Sequence, residues 1–140
     1  MHLAAQFAAA AILLLLTTLI HAIGVVAIAH WLKLDRERER VRRLHPNTVA
    51  LLGAVALLLF AVHSLEIALF ASFYAMVGAL PDLDQALYFS AAAYSTIGSV
   101  DVALPAEWRL VGAIEGVVGF LMLGWSAAFF VTDMNKLLRN

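Results

Sequence analysis

The chain has 140 residues, a formal net charge of −1 and no cysteine; 64% of its residues are hydrophobic and 14% are charged. Soluble domains average about 45–50% apolar and about 25% charged residues, so an ordinary soluble domain is excluded. Without cysteine there is no disulfide and no thiolate metal site, and the near-zero net charge gives no electrostatic ground for a nucleic-acid partner.

A membrane-crossing helix needs roughly 20 mostly apolar residues. Three stretches supply them: Leu3–Leu32, Val49–Leu80 and Leu110–Val131. Residues 1–32 read as an N-terminal transmembrane helix. Ala27-Ile28-Ala29 resembles a signal-peptide cleavage site, but the start has no charged n-region and the apolar run is too long for an h-region, so a retained helix is expected. Its polar exceptions are Thr17, Thr18, His21 and His30. For His21 we expect a hydrogen bond to a neighbouring helix; His30 and Trp31 suit the membrane interface.

Residues 33–47 form a charged connector. Asp35-Arg36-Glu37-Arg38-Glu39-Arg40 alternates in sign, which suits a solvated helix with i,i+3 and i,i+4 contacts. Lys33, Arg36, Arg38, Arg40, Arg42 and Arg43 lie here, and Lys136 and Arg139 lie in the tail, 134–140. Arg109 is the remaining cation of the nine. The positive-inside rule then places the connector and the C-terminus in the cytoplasm and the N-terminus outside. The expected location is the cell's inner membrane, crossed several times. The outer segment Gly78–Arg109 carries Asp82, Asp84, Asp101 and Glu107. An acidic outer mouth would concentrate cations; a topological shortage of Lys and Arg outside accounts for it equally well.

After the break at His45-Pro46, Asn47 or Thr48 can cap a second helix over 48–80. His63 and Glu66 are three apart and share a face that Phe70 and Tyr74 continue. Ionisable groups inside a membrane helix are costly and face protein or water. Two ligands from one helix are too few for a strong metal site, although symmetry copies could add more; no metal beyond permeant cations is expected. The readings are a hydrogen-bonded pair anchoring the helices, a proton site or a metal site.

Gly78-Ala79-Leu80-Pro81 reads as a turn. Asp82 can cap a short helix over 82–95, with Gln85 at N3 and Asp84 in its first turn. Leu83, Leu87, Tyr88 and Ala91 have helical spacing. The helix is too short to span, so it should enter and return. Irregular backbone at that depth is tolerated only inside protein or beside a water-filled cavity, which independently predicts an oligomer around a pore. A third spanning helix over 109–133 carries Gly112, Gly116, Gly119 and Gly124. Gly119, near its middle, suits either close packing or a gating hinge. Glu115 is a further buried acid that can neutralise charge behind the preceding loop, pair with Arg109, or meet His63 and Glu66. Phe129 and Phe130 can close a hydrophobic gate or face lipid.

The run Ala86-Leu87-Tyr88-Phe89-Ser90, then Tyr94-Ser95-Thr96-Ile97-Gly98, Asp101, Trp108-Arg109, Ile114-Glu115 and Gly124-Trp125-Ser126 together resemble the bacterial two-helix potassium-channel pore module, over about residues 55–133, with one extra N-terminal helix. The resemblance implies an all-α integral membrane protein with three transmembrane helices, a re-entrant pore helix and a filter loop at 96–101. It also implies a homotetramer in the bilayer with an axial pore. Carbonyls of Thr96, Ile97 and Gly98 would replace the hydration shell of a permeant potassium or sodium ion. Ser99 stands where the family has an aromatic residue and Val100 where it has its second glycine. That departure implies a wider outer site of Ser99 hydroxyls and Asp101 carboxylates, weaker potassium selectivity, and room for calcium.

Three functions follow: a weakly selective cation channel, a potassium-selective channel, or a non-conducting relative acting as a structural or sensor subunit. No nucleophile–base pair or phosphate loop points to an enzyme, and no cofactor is expected. His63, Glu66 and Glu115 suggest pH-sensitive gating, because histidine ordinarily titrates near neutrality.

Overall fold

The computed structural model describes residues 3–39, 47–98 and 101–138. They form four helices: α1 Leu3–Glu39, α2 Asn47–Met76, α3 Leu83–Tyr94 and α4 Arg109–Leu138. The described residues are otherwise turns and loop. Three helices contain stretches long and apolar enough to cross a membrane: Leu3–Leu32, Val49–Met76 and Arg109–Asn135.

The boundaries differ from expectation at three places. The first helix does not stop at residue 32 but runs through the alternating-charge segment to Glu39, because no Gly or Pro interrupts it before Pro46. The side chains of that segment, the capping roles of Asn47 and Thr48, and the tail cations Lys136 and Arg139 lie outside what is described. α2 stops at Met76, short of residue 80. Gly78 takes φ +63°, its N–H donates to Ala75 O at 3.2 Å, and the Ala79 N–H donates to Tyr74 O at 2.9 Å. That pair of bonds is a Schellman stop, which needs the left-handed backbone glycine adopts freely. α4 runs past residue 133 to Leu138, again with no breaker in its path.

α3 begins as the sequence predicts. Asp82 is its N-cap, accepting from the Gln85 N–H at 2.8 Å while the Gln85 side chain returns to the Asp82 carboxylate at 3.3 Å. Asp82→Ala should therefore fray the first turn of α3 and cost about 0.5–2 kcal/mol, read as a lowered unfolding midpoint in detergent; Asp82→Asn should keep most of it.

α3 lies between α2 and α4, and α1 packs on both spans. Phe70, Ala71 and Tyr74 of α2, Ala86 and Tyr94 of α3, and Val111, Val118 and Met122 of α4 share one buried core with Leu13 of α1. A second core joins Val25, Ile28 and Leu32 of α1 to Val55, Leu59 and Val62 of α2. Phe129 and Phe130 pack against this second core, so their rings are committed to the α1–α2 side. α1 reaches α2 closely at Gly24, where a Cβ would stand 2.5 Å from a Val62 methyl.

Only one face of α3 is covered. Ala86, Ser90 and Tyr94 are buried, whereas Leu83, Leu87 and Tyr88 are exposed. The apolar stripe that marked this segment as a helix is thus the face the single chain leaves open.

Candidate functional site

α3 ends deep in the bundle. Tyr94 reaches Glu66, which lies ten residues before the end of α2, and abuts Gly119, ten residues after the start of α4. At 1.5 Å per residue both are about 15 Å from the ends of their helices, near the middle of a hydrocarbon layer roughly 30 Å thick. α3 itself, at 12 residues, is about 18 Å long and cannot cross.

α4 admits α3 through its glycines. A Cβ at Gly119 would stand 2.7 Å from the Tyr94 carbonyl carbon and closer still to its oxygen. At Gly116 it would be 3.3 Å from Ala93 O, and at Gly112 2.8 Å from a Leu104 methyl and 3.0 Å from the Phe89 ring. Gly112 and Gly116 therefore let α4 approach α3 and its flanking loop. Gly119 is the closest of these contacts, made to the backbone of Tyr94.

Where α3 stops, the chain folds back on it. Ser95 N–H donates to Ala91 O at 3.1 Å, Thr96 N–H to Ala93 O at 3.0 Å and Gly98 N–H to Ala92 O at 3.0 Å. Thr96 has φ +63° and Gly98 φ +78°. Glycine takes this region freely, but for a β-branched threonine it is a genuine outlier. Ile97 is exposed, at 83%, and so is Asp101. Ser99 and Val100 lie outside the described residues.

Two buried polar clusters brace this helix end. In the first, Glu66 of α2 accepts from Tyr94 O–H and from His21 Nδ1 of α1 at 2.9 Å. His63 Nδ1 lies 3.2 Å from the second carboxylate oxygen and 2.9 Å from the Tyr94 hydroxyl. Ser126 of α4 closes the ring, its hydroxyl 3.0 Å from His63 Nε2 and 3.5 Å from His21 Nε2. His21 and Glu66 are fully buried, and His63 is 12% exposed. His21 also meets the Trp125 ring at 5.1 Å. One turn before His21, the buried Thr17 hydroxyl has no hydrogen-bond partner among the described residues.

The second cluster surrounds Glu115, which is fully buried. It accepts from Tyr74 O–H at 2.7 Å and from the Ser90 hydroxyl, which also lies 2.9 Å from Ile67 O. Of the partners foreseen for Glu115, neither Arg109 nor the His63–Glu66 pair is the one found. Tyr74 lies two turns beyond Glu66 on α2, so the first cluster occupies a different level of the bundle. Tyr74→Phe would keep the ring's edge-on contact with Phe89 at 5.4 Å but strip a donor from a buried acid. A loss of about 1–2 kcal/mol is expected, near the top of the range for a single membrane hydrogen bond, measured by unfolding in mixed micelles.

His63 and Glu66 are hydrogen-bonded to one another and, through His21, Tyr94 and Ser126, to the other three helices. The sequence pattern did not reveal His21, Tyr94 and Ser126 as their partners, nor Tyr74 and Ser90 as those of Glu115. Polar residues inside apolar spans were the available signal, but spacing alone could not pair them.

No curated protein and no solved structure matches the chain. A family model described as "Ion channel" matches residues 62–136, which is more than half of the chain and takes in the second half of α2, all of α3 and nearly all of α4. The chain therefore belongs to this ion channel family and, with its three apolar spanning helices, is an integral membrane protein.

Proposed function

We propose that several copies of this chain surround a central pore and conduct cations, with the loop Thr96–Asp101 lining its narrow part. The observation that carries this reading is α3: a helix too short to cross, wedged between two spanning helices and ending near their mid-depth in a loop with exposed Ile97. Lipid does not tolerate such backbone on its own. The exposed Leu83, Leu87 and Tyr88 stripe supports neighbouring copies as its cover; four copies is the number the family resemblance supplies.

Thr96, Ile97 and Gly98 offer carbonyl oxygens, and Ser99 with Asp101 a wider, acidic outer site. The pore passes potassium and sodium with weak discrimination, and calcium binds at the Asp101 ring. The basic residues of segment 33–43 and of the C-terminal tail support a cytoplasmic C-terminus and an outer N-terminus in the inner membrane. His63, Glu66 and Glu115 hold α3 against α2 and thereby influence how readily the loop keeps its conducting form.

The test is flux from purified protein in liposomes under opposed potassium and sodium gradients, with and without external calcium. Unselective, calcium-blocked flux is the expected result. Flux following the potassium gradient alone would replace it with a potassium-selective channel. Silence under every voltage and calcium condition would instead favour a non-conducting subunit, to which the Gly98-to-Ala92 closure of the loop is suited.

A further inference from the structure

We propose that His21, His63 and Glu66 form a binding site for a divalent transition-metal ion of the zinc class, which pins α1 to the channel module. The three side chains each offer one ligand atom, and these atoms lie within 4.8 Å of one another. Two separations are already short: 2.9 Å from His21 Nδ1 to Glu66 Oε1 and 3.2 Å from His63 Nδ1 to Glu66 Oε2. Metal–ligand bonds of about 2.0–2.1 Å in a tetrahedron put ligand atoms about 3.3 Å apart. The two short separations end on different carboxylate oxygens, so with a single ligand oxygen one edge of that figure is present, and the remaining edges need at most about 1.5 Å of closure. The Tyr94 hydroxyl, beside Glu66 Oε2 and 2.9 Å from His63 Nδ1, is near enough to offer a fourth oxygen.

The donor set selects the ion. Two imidazole nitrogens with one carboxylate suit zinc and its late first-row neighbours, whereas sodium, potassium and calcium prefer all-oxygen sites. This donor set differs from the one permeant cations prefer, and the site does not depend on the conduction reading above.

Proton counting favours the metal. With Tyr94 donating to Glu66, both histidine Nδ1 atoms must carry hydrogen to face the carboxylate. Both Nε2 atoms are then acceptors aimed at Ser126, whose hydroxyl has a single proton. With both rings neutral, one of them goes unsatisfied. A metal at the two Nδ1 atoms reverses this. Each Nε2 then carries hydrogen, and the Ser126 oxygen has two lone pairs to receive them. Metal-bound histidines usually donate their other ring N–H in this way. The metal also brings positive charge to a carboxylate buried in a membrane helix, whose ion-pair partners among the described residues are these two histidines. The 12% exposure of His63 marks the side from which an ion would arrive.

The test uses tag-free, full-length protein in detergent, stripped with chelator and titrated with Co2+, whose four-coordinate visible bands report the ligand set. The expected result is one Co2+ per chain, displaced by Zn2+, with affinity reduced at least about 100-fold in His21→Asn or His63→Asn. Ser126→Ala, which touches only the second ring nitrogens, should weaken binding about 10- to 100-fold with the band shape retained. His30→Asn, on an exposed position of α1, should leave it unchanged. Absence of stoichiometric bands in the unmodified protein, bands that persist unaltered in His21→Asn, or loss of binding in His30→Asn would each overturn the proposal. Equal helix content by circular dichroism across the variants separates loss of the site from loss of the fold.

Discussion

Gly119→Ala is expected to be the most damaging small substitution in the chain. The added methyl would meet the Tyr94 backbone, 2.7 Å from its carbonyl carbon and 2.9 Å from its Cα. A side chain can swing away from such a contact; the last residue of a helix capped by three backbone hydrogen bonds cannot. Overpacking costs about 1–3 kcal/mol in ordinary cores, and the rigidity of this neighbour puts the cost at the upper end. The loop that follows Tyr94 would be displaced with it, so flux should fall along with the unfolding midpoint. Gly124→Ala is the comparison: nothing lies within 4 Å of a Cβ there, and alanine's helix preference should hold or slightly raise stability. A hinge at Gly119 predicts the opposite split, with stability kept and only gating altered. Equal midpoints for the two variants would remove the contact role.

Glu66→Ala should cost about 2–4 kcal/mol in the presence of chelator. The carboxylate is the acceptor for Tyr94, His21 and His63, which arrive from three helices. A single hydrogen bond within a membrane averages about 0.6 kcal/mol and reaches about 1.7. Losing the common acceptor leaves three donors without it at once, so the loss should exceed any one bond. Glu66→Gln, which keeps one acceptor oxygen, should fall between. The measurement is unfolding in mixed micelles with metal excluded; a change under about 0.5 kcal/mol for Glu66→Ala would show that the cluster is not a brace.

Local chemistry makes parts of this protein legible from residue order alone. Asp82 followed by Gln85 is a capping signal that works through contacts three residues apart, and it holds in the fold. Gly78 before Pro81 marks the end of α2 for the same reason, although the helix closes before residue 80 because the left-handed turn starts at the glycine itself. The alternating charges of 35–39 signal a helix, but not that it continues α1 without a break. On α3 the Leu83-Leu87-Tyr88 spacing identifies a helix. Its direction misleads, since the buried face carries Ala86, Ser90 and Tyr94 instead.

Residue type and periodicity are enough for the three apolar spans, the short helix between the second and third, and its cap and preceding turn. All of these depend on neighbours within one or two turns. Helix packing, by contrast, settles that His21 joins His63, Glu66, Tyr94 and Ser126, that Glu115 answers to Tyr74 and Ser90, and that Gly119 is a seat for Tyr94. The hydrogen-bonded pairings between helices reach across 23 to 105 residues of chain. In an apolar span a buried polar group is costly without a partner, but which one it finds is set by how the helices rotate and at what depth they cross. That is a property of the packing between helices, which the pattern along any one of them does not carry.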